Sequence, residues 1–157
     1  MAEHSPPLFP SVFYLGVERE SYLELGRMYK ANVLVTNICA AMMRKVLIVE
    51  AKRFPDNAVD GWHSQYDWGG VETQLSQNMN RARCQFGNVQ TMYGTVTVGD
   101  MVRFYYKSMN TPVGILRPFT LPAGGNTVTL SVHTNRNEIH DILIAIEREI
   151  STYQNRY

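Results

Sequence analysis

Lys45-Val46-Leu47-Ile48-Val49-Glu50-Ala51-Lys52-Arg53 decides the reading of this chain. Four apolar, mostly β-branched residues run into a carboxylate and an ammonium two positions apart. A strand alternates its side chains between faces, so Glu50 and Lys52 emerge on one face, at the strand's C-terminal end, where open sheets carry their sites. A carboxylate beside a lysine there can hold a divalent cation and steady a phosphate or an attacking water. Taken alone, Glu-x-Lys is also an ordinary surface pair.

Working outward, Asn32 to Ile38 reads as a preceding strand, joined through a turn at Ala40 to Arg44. Before it, Val17, Tyr22, Leu25, Met28 and Tyr29 have the spacing of an amphipathic helix, with Glu18, Glu20 and Glu24 on it. Residues 1–16, with Pro6, Pro7 and Pro10, read as an extended lead-in to a single domain over 17–157. Pro55 to Gly70 is a loop holding Trp62, Tyr66 and Trp68. These rings either form a platform for stacking bases, worth about 1–3 kcal/mol per base, or pin the loop to the sheet. Val71 to Phe86 is a helix whose core stripe is Val71, Leu75, Met79, Ala82 and Phe86, closed by Gly87. Gln74, Asn78 and Arg81 form a polar stripe beside it.

Met92 to Val98 and Met101 to Lys107 are strands joined by Gly99-Asp100, a two-residue hairpin turn. Two further strands are expected at Val113 to Phe119 and Thr127 to His133. Asn135 with Glu138 resembles a capping box ahead of a helix striped by Ile139, Ile142, Leu143, Ile146 and Ile150. Helices mixed with strands give an α/β to α+β class with a central mixed sheet.

At 157 residues, 45% apolar and 18% charged, the chain has the composition of a globular domain. A net charge of +1 provides no global field for polyanions. Basic residues nevertheless gather locally at Arg44, Lys45, Lys52 and Arg53, and at Arg81 and Arg83. Cys39 and Cys84 lack zinc-ribbon spacing and fit a reducing compartment. Without a membrane-length apolar run or a secretory layout at the N-terminus, an intracellular location, cytoplasmic or nuclear, is expected. The C-terminal hairpin and the Tyr-rich strand at 104–106 offer apolar surface of the kind a homodimer buries.

In order, strand-borne Glu50-Ala51-Lys52, a loop, and a helix opening Glu72-Thr73-Gln74-Leu75 resemble the PD-(D/E)XK nuclease superfamily, in particular fungal members with an E-x-K strand and a Q-x-x-x-Y helix. Tyr93-Gly94 through Val102-Arg103-Phe104-Tyr105 is similar to a hairpin found there, and the terminal strand and helix suit the same layout. The resemblance spans roughly residues 30 to 148. It implies a restriction-endonuclease-like core, a central mixed β-sheet flanked by helices. It also implies Mg²⁺- or Mn²⁺-dependent hydrolysis of nucleic acid, with Glu50 as metal ligand. Lys52 would orient the attacking water or neutralise the phosphate, and Gln74 would brace the site. Glu18 or Glu20 would supply a further carboxylate. By their own chemistry and placement, Arg53, Asn78, Arg81, Trp62 and Trp68 are candidates to contact nucleic acid. Two positions depart from the pattern. Asn32 stands where the metal-binding aspartate is expected, and Asn78 stands where the tyrosine is. A neutral amide is a poor ligand for a hard dication. The alternative expectation is therefore a catalytically degenerate nuclease fold that binds nucleic acid or a protein partner.

Overall fold

The computed structural model describes residues 14–19, 33–39, 42–84, 91–108, 115–122 and 129–152, with side chains over 46–83, 91–108, 115–122 and 129–152. Among the described residues, seven strands and two α-helices run in the order β1 (Tyr14–Arg19), β2 (Val33–Cys39), β3 (Met42–Lys52), α1 (Trp68–Cys84), β4 (Met92–Val98), β5 (Met101–Lys107), β6 (Arg117–Pro118), β7 (Leu130–Ser131) and α2 (Arg136–Thr152), with a 3-10 turn at Trp62–Ser64 before α1. The strands form one mixed sheet in the spatial order β1-β2-β3-β4-β5-β6, with β7 also on β5. β1, β2 and β3 pair antiparallel, β3 and β4 pair parallel, and β4 and β5 form the antiparallel hairpin. The parallel step requires a crossover, and α1 supplies it.

A register shift in β3 sets which way the site points. Val35 pairs with Leu47 and Thr36 with Lys45, so Val46 is the extra residue of a bulge. Val46 and Leu47 both join the apolar cluster of α2, whereas Ile48 joins that of α1. From Ile48 onward the alternation holds, and Glu50 and Lys52 follow it to the α1 face.

The sheet is covered on both faces. On one, Leu75, Met79 and Ala82 of α1 pack without exposure on Ile48, Met92, Val96 and Val98. Gly94 lets the helix come this close, since a Cβ there would sit 2.8 Å from Leu75 Cδ2. On the other, Ile142, Ile146 and Ile150 of α2 pack on Val102, Phe104 and Leu130. Leu143, expected in that stripe, is 43% exposed, because the buried line follows strict four-residue steps.

Several expectations shift. The helix read from Val17 gives way at its start to β1, where Val17 pairs with Val35 and Glu18 with Leu34. Apolar spacing suited a helix, but an adjacent strand supplies ladder partners, and pairing overrides local spacing. The rest of that helix, with Glu20, and Asn32 lie outside the described residues, as does the Glu18 side chain. Met42 to Arg44, expected in a turn, already belong to β3. α1 begins at Trp68 rather than Val71, because Asp67 Oδ1 accepts from the Gly70 N–H at 3.2 Å and caps the first turn. The late strands are only two residues long where described. Phe104 and Tyr105 are buried within the chain rather than presented as an apolar surface for a second copy. At α2, Asn135 Oδ1 accepts from the Ser131 N–H at 3.0 Å, and its amide donates to Glu138 at 3.5 Å, a variant of the expected capping box.

Candidate functional site

Glu50 is the centre of a hydrogen-bonded line that crosses from β3 to one flank of α1. Lys52 Nζ donates to Gln74 Oε1 at 2.8 Å, and Gln74 Nε2 donates to Glu50 Oε2 at 3.4 Å. From the other side, Asn78 Nδ2 donates to Glu50 Oε1, and Arg81 Nη1 donates to Asn78 Oδ1 at 3.0 Å. Gln74, Asn78 and Arg81 reach one strand because steps of four and three residues return to the same helix face. Strand parity does the same for Glu50 and Lys52.

Glu50 and Lys52 are thus not a surface ion pair. Glu50 is 1% exposed, and its contact with the lysine runs through Gln74. Burial pushes its carboxyl up from the ordinary carboxylate value, against the opposing pull of the Asn78 hydrogen bond and the Lys52 charge. Asn78, read from the sequence as a nucleic-acid contact, is buried and bridges the carboxylate to Arg81. Arg53 is exposed beside the line.

The tryptophans divide. Phe54, Trp62, Tyr66 and Trp68 contact edge to face in sequence, with centroid separations of 5.3, 5.6 and 5.2 Å. Trp68 is buried, donates from its indole to the His63 carbonyl at 2.8 Å, and carries the Arg103 guanidinium 4.0 Å above its ring. These rings pin the loop to the sheet. Trp62 and Tyr66 keep partial exposure, and Phe54 is half exposed.

A second polar network occupies the opposite flank of α1, and the sequence reading missed it. Arg103 donates to Glu72 at 2.8 Å and to Thr129 Oγ1 at 2.7 Å, and the Tyr105 hydroxyl also donates to Glu72. Lys107, without exposure, donates to the Ser76 carbonyl, Ser76 Oγ and Asn80 Oδ1 at 3.1, 2.9 and 2.6 Å. Burial, then the neighbouring Arg83, bring its ammonium down to about 8. The signal was present: Arg103, Tyr105 and Lys107 alternate along β5, and Glu72, Ser76 and Asn80 are four apart on α1. A cleft of about 800 Å³ opens there, lined by Glu72, Ser76, Asn80, Arg103, Tyr105 and Leu116. It is not where Glu50 lies, and its guanidinium is already paired with Glu72.

Among the described residues, no group of three or more His, Cys, Asp or Glu could hold a metal ion, and no helix is long and apolar enough to cross a membrane. Comparison of the chain with models of known protein families, with curated proteins and with solved structures gives no match.

Proposed function

We propose that this protein is a divergent PD-(D/E)XK-like domain whose site engages the phosphodiester of nucleic acid, with Glu50, Lys52 and Gln74 as the acting residues. The observation that carries this is their meeting. Three residues singled out by motif, 24 positions apart at the extremes of Glu50 and Gln74, join in one hydrogen-bonded line. The topology is in keeping with it: three antiparallel strands, a crossover helix, and a fourth strand parallel to the third, with the polar cluster at the third strand's C-terminal end.

Each residue has a task its chemistry allows. Lys52 spends one N–H on Gln74 and has two left for phosphate oxygens. Gln74 fixes the ammonium against the carboxylate. Glu50, its carboxyl raised by burial, holds or accepts a proton closer to neutral pH than an exposed carboxylate does. The Mg²⁺ or Mn²⁺ that the resemblance implies does not fit the described donors. Glu50 is the one carboxylate in the line, and both its oxygens accept amide N–H groups. That same occupancy favours a second reading, in which the site binds nucleic acid without cleaving it.

The test is incubation with single- and double-stranded DNA and RNA, with and without Mn²⁺, beside Glu50→Gln and Lys52→Ala. Cleavage lost in both variants is expected of a hydrolase, and Lys52-dependent binding without cleavage of a binding module. Neither cleavage nor binding by the wild type would overturn the proposal.

A further inference from the structure

Phe54 lies two residues beyond Lys52 and is 50% exposed, yet the fold holds its ring in place. One edge of the ring rests on Gly99, where a Cβ would sit 2.3 Å from Phe54 Cδ2. Trp62 contacts the ring edge to face at a centroid separation of 5.3 Å. Trp62 in turn packs against the α1 cluster, on the face to which Glu50 and Lys52 turn. The Gly99 N–H donates to the Lys52 carbonyl at 3.3 Å, so the glycine that seats the ring also ties down the backbone of the lysine. Between ring and lysine stands Arg53, exposed and with no hydrogen-bond or ion-pair partner among the described residues.

A single exposed aromatic side chain is common on protein surfaces and means little by itself. Here two further features bear on it. The ring is fixed by Gly99 and Trp62, so a flat partner laid on it costs little lost side-chain freedom. It also adjoins two cations, and Lys52 keeps two N–H groups beyond the one given to Gln74. An inorganic anion would use the cations and ignore the ring, and an apolar side chain would do the reverse. A nucleotide uses both, its base on the ring and its phosphates on the cations. Within a duplex each base is covered by its neighbours, and its face becomes accessible only when it leaves the stack.

We infer that Phe54 is the stacking surface for an unpaired base whose flanking phosphates lie on Lys52 and Arg53, so that the site takes single-stranded rather than duplex nucleic acid. This rests on the phosphodiester reading above and deepens it by naming the strand state of the ligand. It also gives the aromatic loop two roles. Trp68 pins the loop to the sheet, and Trp62 braces the one ring of the series that is half exposed.

The experiment is an anisotropy titration of short fluorescein-labelled DNA and RNA single strands, of the matching duplexes, and of the DNA strand with abasic residues in place of its bases. It is run over a range of salt, in EDTA and with Mn²⁺. Single strands are expected to bind about tenfold more tightly than duplexes. Phe54→Leu, which keeps an apolar side chain on Gly99, should lose about tenfold for single strands with no change in salt slope, whereas Phe54→Tyr should stay within about twofold of wild type. Lys52→Gln and Arg53→Gln should each make the slope of log affinity against log salt shallower by about 0.7. Removing the bases should cost the wild type about tenfold more than it costs Phe54→Leu, a coupling that a purely structural ring would not produce. Duplexes bound as tightly as single strands, or base removal costing both proteins the same, would overturn the inference while leaving the phosphodiester reading intact. A salt slope unchanged in both cation variants would overturn it as well. No binding of any probe in either condition would remove the reading beneath it.

Discussion

Asn78 donates its carboxamide N–H to Glu50 across 28 residues of chain, and both side chains are withdrawn from solvent. The bond anchors α1 to β3 and gives a buried carboxylate part of the hydration it has lost, but not all of it. Burial outweighs both this bond and the attraction of Lys52, so the folded carboxyl titrates above its unfolded value near 4.5. Between these two values the native state holds more protons than the unfolded one, and stability falls as pH rises through that window. At neutral pH an ionised Glu50 is a cost to the fold. Glu50→Gln keeps the volume and removes the charge. It also sets an amide N–H against the N–H of Gln74 or Asn78, so the charge shows in the pH dependence rather than in absolute stability. The melting temperature of the variant, measured relative to wild type, is expected to rise as pH is raised from 4.5 toward 7, because only wild type has the Glu50 slope. Thermal melts in a pH series that run parallel for the two proteins would count against it.

Lys107 supplies a pH dependence of the opposite sense. Its folded value of about 8 lies below the unfolded 10.5, through burial first and the charge of Arg83 second. Between these values the unfolded state binds more protons, so stability rises with pH across that window and the penalty is fully present below it. Lys107→Met removes the ammonium but strands its acceptors, Ser76 and Asn80, at about 1–3 kcal/mol each. The variant is expected to be less stable than wild type at pH 9 and above. The gap should narrow toward pH 7, because only wild type has the Lys107 slope. Denaturation curves with parallel slopes for the two proteins between pH 7 and 10 would sink this account.

What could be read from the chain beforehand follows from where the deciding contacts lie. Gln74, Asn78 and Arg81 share a helix face by local geometry, and Glu50 and Lys52 share a strand face by parity, so both halves of the site were legible. That the halves meet depends on α1 lying over β3, which a crossover to a parallel β4 makes natural. The bulge at Val46 was not legible, because it exists only relative to β2. Had β3 run without it, Lys45 and Val46 would keep strict alternation with Glu50, and Val46 would face α1 instead of α2. β1 was missed for a related reason: Tyr14 to Arg19 acquires its ladder only from Val33 to Ile38. The Lys107 network escaped because a lysine at the end of a strand is ordinarily solvated. Only the packing of α1 against β5 shows it covered.

Two glycines separate backbone strain from crowding. Gly61 has φ +76°, and a Cβ added there would meet nothing within 4 Å, so Gly61→Ala carries the left-handed penalty alone, about 1 kcal/mol. Gly99 has φ +55°, and its Cβ would collide with the Phe54 ring, which is itself packed on Trp62 at 5.3 Å. Gly99→Ala must also push that ring away and lose the aromatic contact, for a total of about 2 kcal/mol. In a Phe54→Ala background the two glycine substitutions are expected to cost the same. Chemical denaturation of the glycine variants in both backgrounds decides it, and a Gly99→Ala cost unaffected by Phe54→Ala would show that the ring is not the obstacle.

Arg103 and Glu72 lie 2.8 Å apart with side chains 19% and 31% exposed, intermediate between a surface pair and a buried one. An exposed pair contributes about 0–1 kcal/mol. This one is braced by Thr129 on the guanidinium, Tyr105 on the carboxylate and Trp68 beneath the arginine. The fixed geometry lowers the entropy lost in making it, so a double-mutant cycle with Arg103→Met and Glu72→Gln is expected to give a coupling of about 1–2 kcal/mol. Arg103→Met alone should cost more than Glu72→Gln alone, because it strands the Glu72 charge beside Tyr105 and also uncovers the Trp68 ring. Raising the salt should leave most of the coupling in place, as the pair is partly shielded from counterions. A coupling that vanishes at high salt would mean that the bracing contacts do not hold the pair, leaving the Lys107 hydrogen bonds and the apolar contacts to join α1 to β5.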